Sequence, residues 1–199
     1  MYKIGITGGI SSGKTIATKI FKDKKESFIY NADKESKRHL KKSHSLQKKL
    51  INIFGNQITL NNKISIELLA KIAFSSSINH KILNGIMWPE IYLLINKEYE
   101  NQLNKNYKFF VVDAALIFEA NFQNFFDKII LITAKKELRI ERAINRNNIQ
   151  LESIQNRIAL QMSDNKKKSL ADYIITNNTN LNNFHKKIEK IYQTFTSVK

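Results

Sequence analysis

Residues Gly8-Gly9-Ile10-Ser11-Ser12-Gly13-Lys14-Thr15 spell G-x-x-x-x-G-K-[ST]. They follow a short apolar run, Tyr2–Thr7, and precede a segment with helical spacing (Ile16, Ala17, Ile20, Phe21). Few folds satisfy that order. A strand must pass to a helix through a loop whose glycines let the backbone curl, aiming successive N–H groups inward at phosphate oxygens. The helix N-terminus adds partial positive charge, Lys14 reaches the β- and γ-phosphates, and the Thr15 hydroxyl can ligate Mg²⁺. The stretch Gly9 to Gly13 also reads G-x-S-x-G, the nucleophile elbow of a different α/β class. An elbow takes an oxyanion donor from a loop on an earlier strand, and only ten residues precede Ser11. The Lys14-Thr15 pair would also serve no purpose there, so the elbow is rejected.

The rest of the chain keeps a strand–helix rhythm. Phe28–Tyr30, Phe109–Val112, Lys128–Thr133 and Asp172–Thr176 read as strands. Lys135–Asn145, Leu151–Met162 and Leu181–Thr194 read as helices, and a polar helix follows Asp33. Asn52 to Asn106 reads as mostly helical, with turns near Gly55, Asn61–Asn62 and Gly85 and with Pro89 opening a helix. The expectation is one α/β domain: a parallel sheet with helices on both faces.

Several side chains belong with the loop. Asp33 follows the second strand, at the carboxyl edge where such sheets bind ligands. It suits a carboxylate that orients or deprotonates an attacking hydroxyl, or equally the N-cap of a helix starting at Lys34. Asp113 ends the apolar strand Phe109–Val112 in Walker-B form, where the acid approaches Mg²⁺. Glu119 is a second carboxylate near that edge, or a helix-surface charge. Arg139, Arg142 and Arg146 fall on one helical face, in a chain where arginine is otherwise confined to Arg38 and Arg157. They suit a lid closing over phosphates, or surface ion pairs with Glu137 and Glu141. His39, His44, His80 and His185 show no metal-ligand spacing and read as surface residues, while Trp88 reads as a helix-start staple or core plug.

Charge invites a rival. There are 33 Lys+Arg against 17 Asp+Glu, a net +16. The lysines are spread along the chain, with only short runs such as Lys166–Lys168, and no stripe of aromatics and arginines suggests a nucleic-acid groove. The field therefore reads first as a solvated surface and second as an attractor of polyphosphates. With no cysteine, disulfides and thiolate chemistry are excluded. No signal-like or membrane-spanning run occurs, so a cytoplasmic protein, acting as a monomer away from membranes and nucleic acid, is the expectation.

Thr-Gly-Gly-Ile-x-Ser-Gly-Lys-Thr, then Asn-Ala-Asp (Asn31–Asp33), then Asp-Ala-Ala-Leu-Ile-Phe-Glu (Asp113–Glu119), resembles the dephospho-CoA kinases. Arg142, Arg146, Gln161 and Ala171–Asn177 extend the resemblance over nearly the whole chain. It implies a P-loop NTPase fold with a five-stranded parallel sheet, a helical substrate-binding insertion and a lid. The core would span about 1–59, 106–135 and 166–199, the helical CoA-binding region about 60–105, and the lid about 136–165. It also implies transfer of the ATP γ-phosphate to the ribose 3′-hydroxyl of dephospho-CoA with Mg²⁺. Thr7 and Gly8, Gly9, Ile10, Ser11, Ser12, Gly13, Lys14, Thr15 and Ile16 would bind ATP, and Asp33 would activate the hydroxyl. Lys14 and Arg142 would assist catalysis, Arg146 would bind nucleotide from the lid, Asn177 would lie near the adenine, and Thr15 and Asp113 would hold the metal. Three positions depart from the family pattern: Asn31 replaces an acid, Ala115 a proline, and Trp88 a histidine before Pro89. Alternatives are another P-loop nucleotide or nucleoside kinase, a basic nucleic-acid-stimulated P-loop ATPase, and an inactive nucleotide-binding module.

Overall fold

The computed structural model describes residues 1–147 and 151–197, the side chains of Arg146 and Asn147 excepted. In chain order its elements are β1 (Tyr2–Gly8), α1 (Lys14–Asp23), β2 (Ser27–Asn31), α2 (Ala32–Lys42), α3 (His44–Phe54), β3 (Thr59–Leu60), β4 (Lys63–Ile64), α4 (Ile66–Ala73) and α5 (Ser77–Gln102). There follow β5 (Phe109–Asp113), β6 (Lys128–Thr133), α6 (Lys136–Asn147), α7 (Leu151–Ala159), α8 (Asp164–Leu170), β7 (Tyr173–Thr176) and α9 (Leu181–Thr196). They form two compact units, Met1–Asn31 with Ile95–Lys199, and Ala32–Leu94.

The first unit is built on a five-stranded sheet ordered β2-β5-β1-β6-β7, with every adjacent pair parallel. Its central strands are mostly apolar because both faces are covered. One face carries Ile4, Ile6, Val111, Ile130, Ile132 and Ile175 against Ala17 and Phe21 of α1 and Phe184, Ile188, Tyr192 and Phe195 of α9. On the other, Gly5 leaves room for Ile117 and Phe126 of the loop after β5, which lie where a β-carbon would stand. The ends of β1, β5, β6 and β7 all reach one carboxyl edge, so the loop after β1 leaves from the middle of that edge. At the start of β7, burial alone would push Asp172 up. Hydrogen bonds from Lys128 and the Ile129 amide outweigh that and hold its carboxyl below the usual range.

The second unit is helical around Leu40, Leu46, Leu50, Phe54, Ile58, Leu69, Ile86 and Met87. Ser43 caps α3 and Ser65 caps α4, each accepting from the amide three residues on. Asn61 and Asn62, both at positive φ (52° and 59°), turn β3 into β4, the left-handed pair a two-residue hairpin needs. The sequence reading expected a turn there but not the hairpin. It was also wrong at Gly85 and Pro89, since α5 runs through both. Proline removes one backbone donor, the one that would meet the Gly85 carbonyl. Both residues are exposed, so water can satisfy that carbonyl at little cost. His80, expected at the surface, is buried against Phe74, and Trp88 is half-buried within α5.

The buried Tyr192 hydroxyl donates to Glu26, which also pairs with Lys108. Burial first, and that hydrogen bond second, push Tyr192 up to about 12. A raised phenol stabilises the fold fully below its unfolded value near 10 and loses that contribution as pH rises towards 12. Denaturant titrations at pH 8 and pH 11 should therefore show a loss of stability in the native chain that is much reduced in Tyr192→Phe.

Candidate active site

The loop between β1 and α1 is fixed by what surrounds its glycines. Gly8 has φ +153°, and a β-carbon there would collide with the Ile132 carbonyl of β6. Gly13, at φ +115°, caps α1, and a β-carbon there would strike Asn177 Nδ2. Within the loop, the Ser12 amide donates to the Gly9 carbonyl at 3.3 Å, and Ser11 takes a left-handed φ of 54°. The first turn of α1 has no capping side chain and no acid, so its N-terminus presents partial positive charge to an anion, although the Ile16 and Ala17 amides already donate to the Gly13 carbonyl. Lys14 Nζ folds back to donate to the carbonyls of Gly8 (2.8 Å) and Gly9 (3.2 Å). Ser12 Oγ is buried with no hydrogen-bond partner among the described residues. Thr15 is exposed, while Ile10 and Ile16 are half-buried, Ile16 against the sheet core.

Asn177 buttresses this loop. Its side-chain amide donates to the Ser12 carbonyl at 2.8 Å, and its backbone amide donates to Thr133 at the end of β6. Its own carbonyl accepts from Arg142 Nη1 at 3.1 Å, which places Arg142 on the same support. Arg139 is buried; its Nε donates to the Ile10 carbonyl at 3.2 Å and its Nη1 to Asp164 at 3.0 Å. For Arg139, the pairing that the sequence offered with Glu137 or Glu141 is replaced by one with an acid at the start of α8. Arg146 lies outside the residues whose side chains are described.

Asp113 is buried at the edge of β5, opposite Asn31 in the sheet register. Asn31 Nδ2 donates to Asp113 Oδ2 at 3.0 Å. An acid at position 31 could not make that bond while ionised and would set two like charges together. The buried Thr7 hydroxyl donates to the Ala115 carbonyl at 3.2 Å, tying β1 to the loop after β5. Lys167, from a lysine run that reads as surface, has no exposed area. Its Nζ sits 2.7 Å from Glu119 and 3.4 Å from the Ala115 carbonyl. Glu119 Oε1 also accepts from the Met162 amide at 2.9 Å, so Glu119 is not a helix-surface charge. A lysine run gives no sign of which member turns inward. Only the Glu119–Lys167 pairing reveals it.

Asp33 stands in the first turn of α2, in the second unit. The helix begins at Ala32 and not Lys34, so Asp33 is not its N-cap, although its charge still complements the helix N-terminus.

The phosphate loop, the Asp113 strand end and the sheet order describe a P-loop kinase core. A family model described as dephospho-CoA kinase matches residues 2–183. The chain belongs to the dephospho-CoA kinase family. A dephospho-CoA kinase of Fusobacterium nucleatum is 34% identical over 192 residues, covering 96% of this chain and 97% of that relative. One from Arabidopsis thaliana is 32% identical over 189 residues, covering 94% and 81%. The solved dephospho-CoA kinase from Campylobacter jejuni aligns at TM-score 0.67 and 27% identity, covering 97% of this chain and 96% of its own. A Thermus thermophilus protein reaches 0.79 at 21% identity, covering 97% of both chains, a likeness of fold alone. Within the family pattern, the departure at Asn31 is an amide holding Asp113, and the carbonyl at Ala115 is held from two sides.

Two glycine replacements separate the loop's demands from ordinary helix propensity. Gly8→Ala should abolish nucleotide binding in a calorimetric titration and destabilise by more than about 1 kcal/mol. Gly85→Ala, on an exposed stretch of α5 with nothing within 4 Å of the new methyl, should raise the melting temperature and leave nucleotide binding unchanged.

Proposed function

We infer that this chain transfers the γ-phosphoryl group of ATP to the ribose 3′-hydroxyl of dephospho-CoA, releasing CoA and ADP. The observation that carries the reading is family membership across residues 2–183 with the phosphate loop's glycine, lysine and threonine positions all intact. The residues fit a polyphosphate: glycines at points where a side chain would collide, an uncapped helix start, and a lysine resting on loop carbonyls that phosphate oxygens can replace.

In this reading Gly8 to Ile16 hold ATP through backbone amides, and Lys14 moves from the Gly8 and Gly9 carbonyls to the outer phosphates. Asp33, two residues beyond the end of β2, accepts the proton of the 3′-hydroxyl. The freed oxygen attacks the γ-phosphorus, and the bond to the β–γ bridging oxygen breaks, leaving ADP. Arg142 and Arg146 offset charge on the transferring group, and helices α6 and α7 act as the lid that keeps water from intercepting it. Asn177 and Thr7 support the nucleotide site through the loop and β1. Thr15 and Asp113 offer a hydroxyl and a carboxylate, hard oxygen donors of the kind Mg²⁺ uses alongside substrate phosphates. Bound there, Mg²⁺ would neutralise phosphate charge. Asn31 orients Asp113 for that role. ATP and dephospho-CoA are then the partners, and a monomer suffices. Among the described residues no helix is long and apolar enough to cross a membrane.

Asp33→Asn should lower turnover by about 10²- to 10⁴-fold while ATP binding stays within a few-fold of the native chain. Lys14→Ala should lose both. Radiolabelled ATP offered with dephospho-CoA, nucleosides and nucleoside monophosphates should label dephospho-CoA. Preferential labelling of a nucleoside monophosphate would assign a different kinase, and hydrolysis stimulated by nucleic acid would assign an ATPase.

A further inference from the structure

Among the described residues, Arg139 is the arginine that hydrogen-bonds to the phosphate loop itself, and no part of the mechanism above uses it. Its side chain is 5% exposed. Nε donates to the Ile10 carbonyl, Nη1 bridges both oxygens of Asp164 at 3.0 and 3.3 Å, and the guanidinium fills the space where a Gly9 side chain would be. The acid it meets opens α8, whose Ser163 cap already orders that turn by accepting from Lys166. All of these groups lie in the unit that holds the loop.

We propose that Arg139 is a positioning residue for the nucleotide: a strut between the phosphate loop and α8, whose charge also cancels an acid beside an anion-binding cradle. The strut fixes the Gly9–Ile10 stretch from outside, so that its carbonyls turn towards Arg139 and Lys14 and leave the loop's interior to amides. Asp164 holds the guanidinium plane, since a fork with one donor on a backbone carbonyl and another on a carboxylate has little rotational freedom. Uncompensated, the same carboxylate would repel a polyphosphate a short distance away. Arg139 therefore does two things at once, one mechanical and one electrostatic, and the two have different signatures on mutation.

Arg139→Gln removes the strut and exposes the loop to the Asp164 charge. Asp164→Asn keeps an oxygen acceptor for Arg139 and removes that charge. Equilibrium binding of ATP and of ADP, measured by calorimetry on the full chain, reads the effect without depending on which acceptor is phosphorylated. ATP affinity should fall by about tenfold or more in Arg139→Gln and change by no more than a few-fold in Asp164→Asn. The double variant should bind ATP more tightly than Arg139→Gln alone, because the repelling acid has gone. That rescue should shrink as salt is raised. ADP should respond less than ATP, and thermal melts of the variants should not follow the same order, as they would if the pair only stabilised the fold. A double variant that binds ATP as weakly as Arg139→Gln or more weakly would overturn the proposal. The proposal presupposes the ATP-dependent kinase reading. Should the variants behave as expected while dephospho-CoA stays unphosphorylated, the acceptor assignment fails and the strut stands.

Discussion

The close approach of backbone to backbone at the first turn of the phosphate loop governs this structure. Gly8 lies against the Ile132 carbonyl and Gly13 against the side-chain amide of Asn177, so β1, β6 and the end of β7 must be in register before the loop can take its shape. That shape turns amides inward and gives the helix start to an anion. A side chain larger than hydrogen at either of those two positions would break that shape.

Around the loop the protein uses buried polar groups sparingly and ties them to carbonyls. Asn177 serves Ser12, Arg139 serves Ile10, and Thr7 and Lys167 meet on Ala115. The Lys167–Glu119 pair is fully withdrawn from water on the lysine side, and such pairs seldom add net stability over an apolar replacement. What this one does is geometric. It joins the loop after β5, Met162 between α7 and α8, and α8 itself into one support behind Asp113. Asn31 completes that support from β2 with an amide, a neutral donor that holds Asp113 without adding charge.

Much of this was legible in the chain because it is local. A strand, a glycine-rich turn and a helix in direct succession are written within Tyr2–Phe21, and the apolar run ending in Asp113 is equally self-contained. The carboxyl-edge placement of Asp113 followed from sheet logic. What was not legible depends on partners distant in sequence. Lys167 looks like its exposed neighbours until Glu119 meets it, Arg139 looks like a surface arginine until Asp164 and Ile10 do, and the buried His80 gives no local sign of its burial. Pro89 and Gly85 misled for the opposite reason. Their strong local preferences are overridden by a helix whose apolar side, including Ile86 and Met87, is anchored in the second unit's core.

ADP release from the purified chain, followed with and without dephospho-CoA, tests the central claim most directly. Release that depends on dephospho-CoA and is matched mole for mole by a 3′-phosphorylated product is the expected result. ADP released at the same rate whether or not dephospho-CoA is present would contradict it.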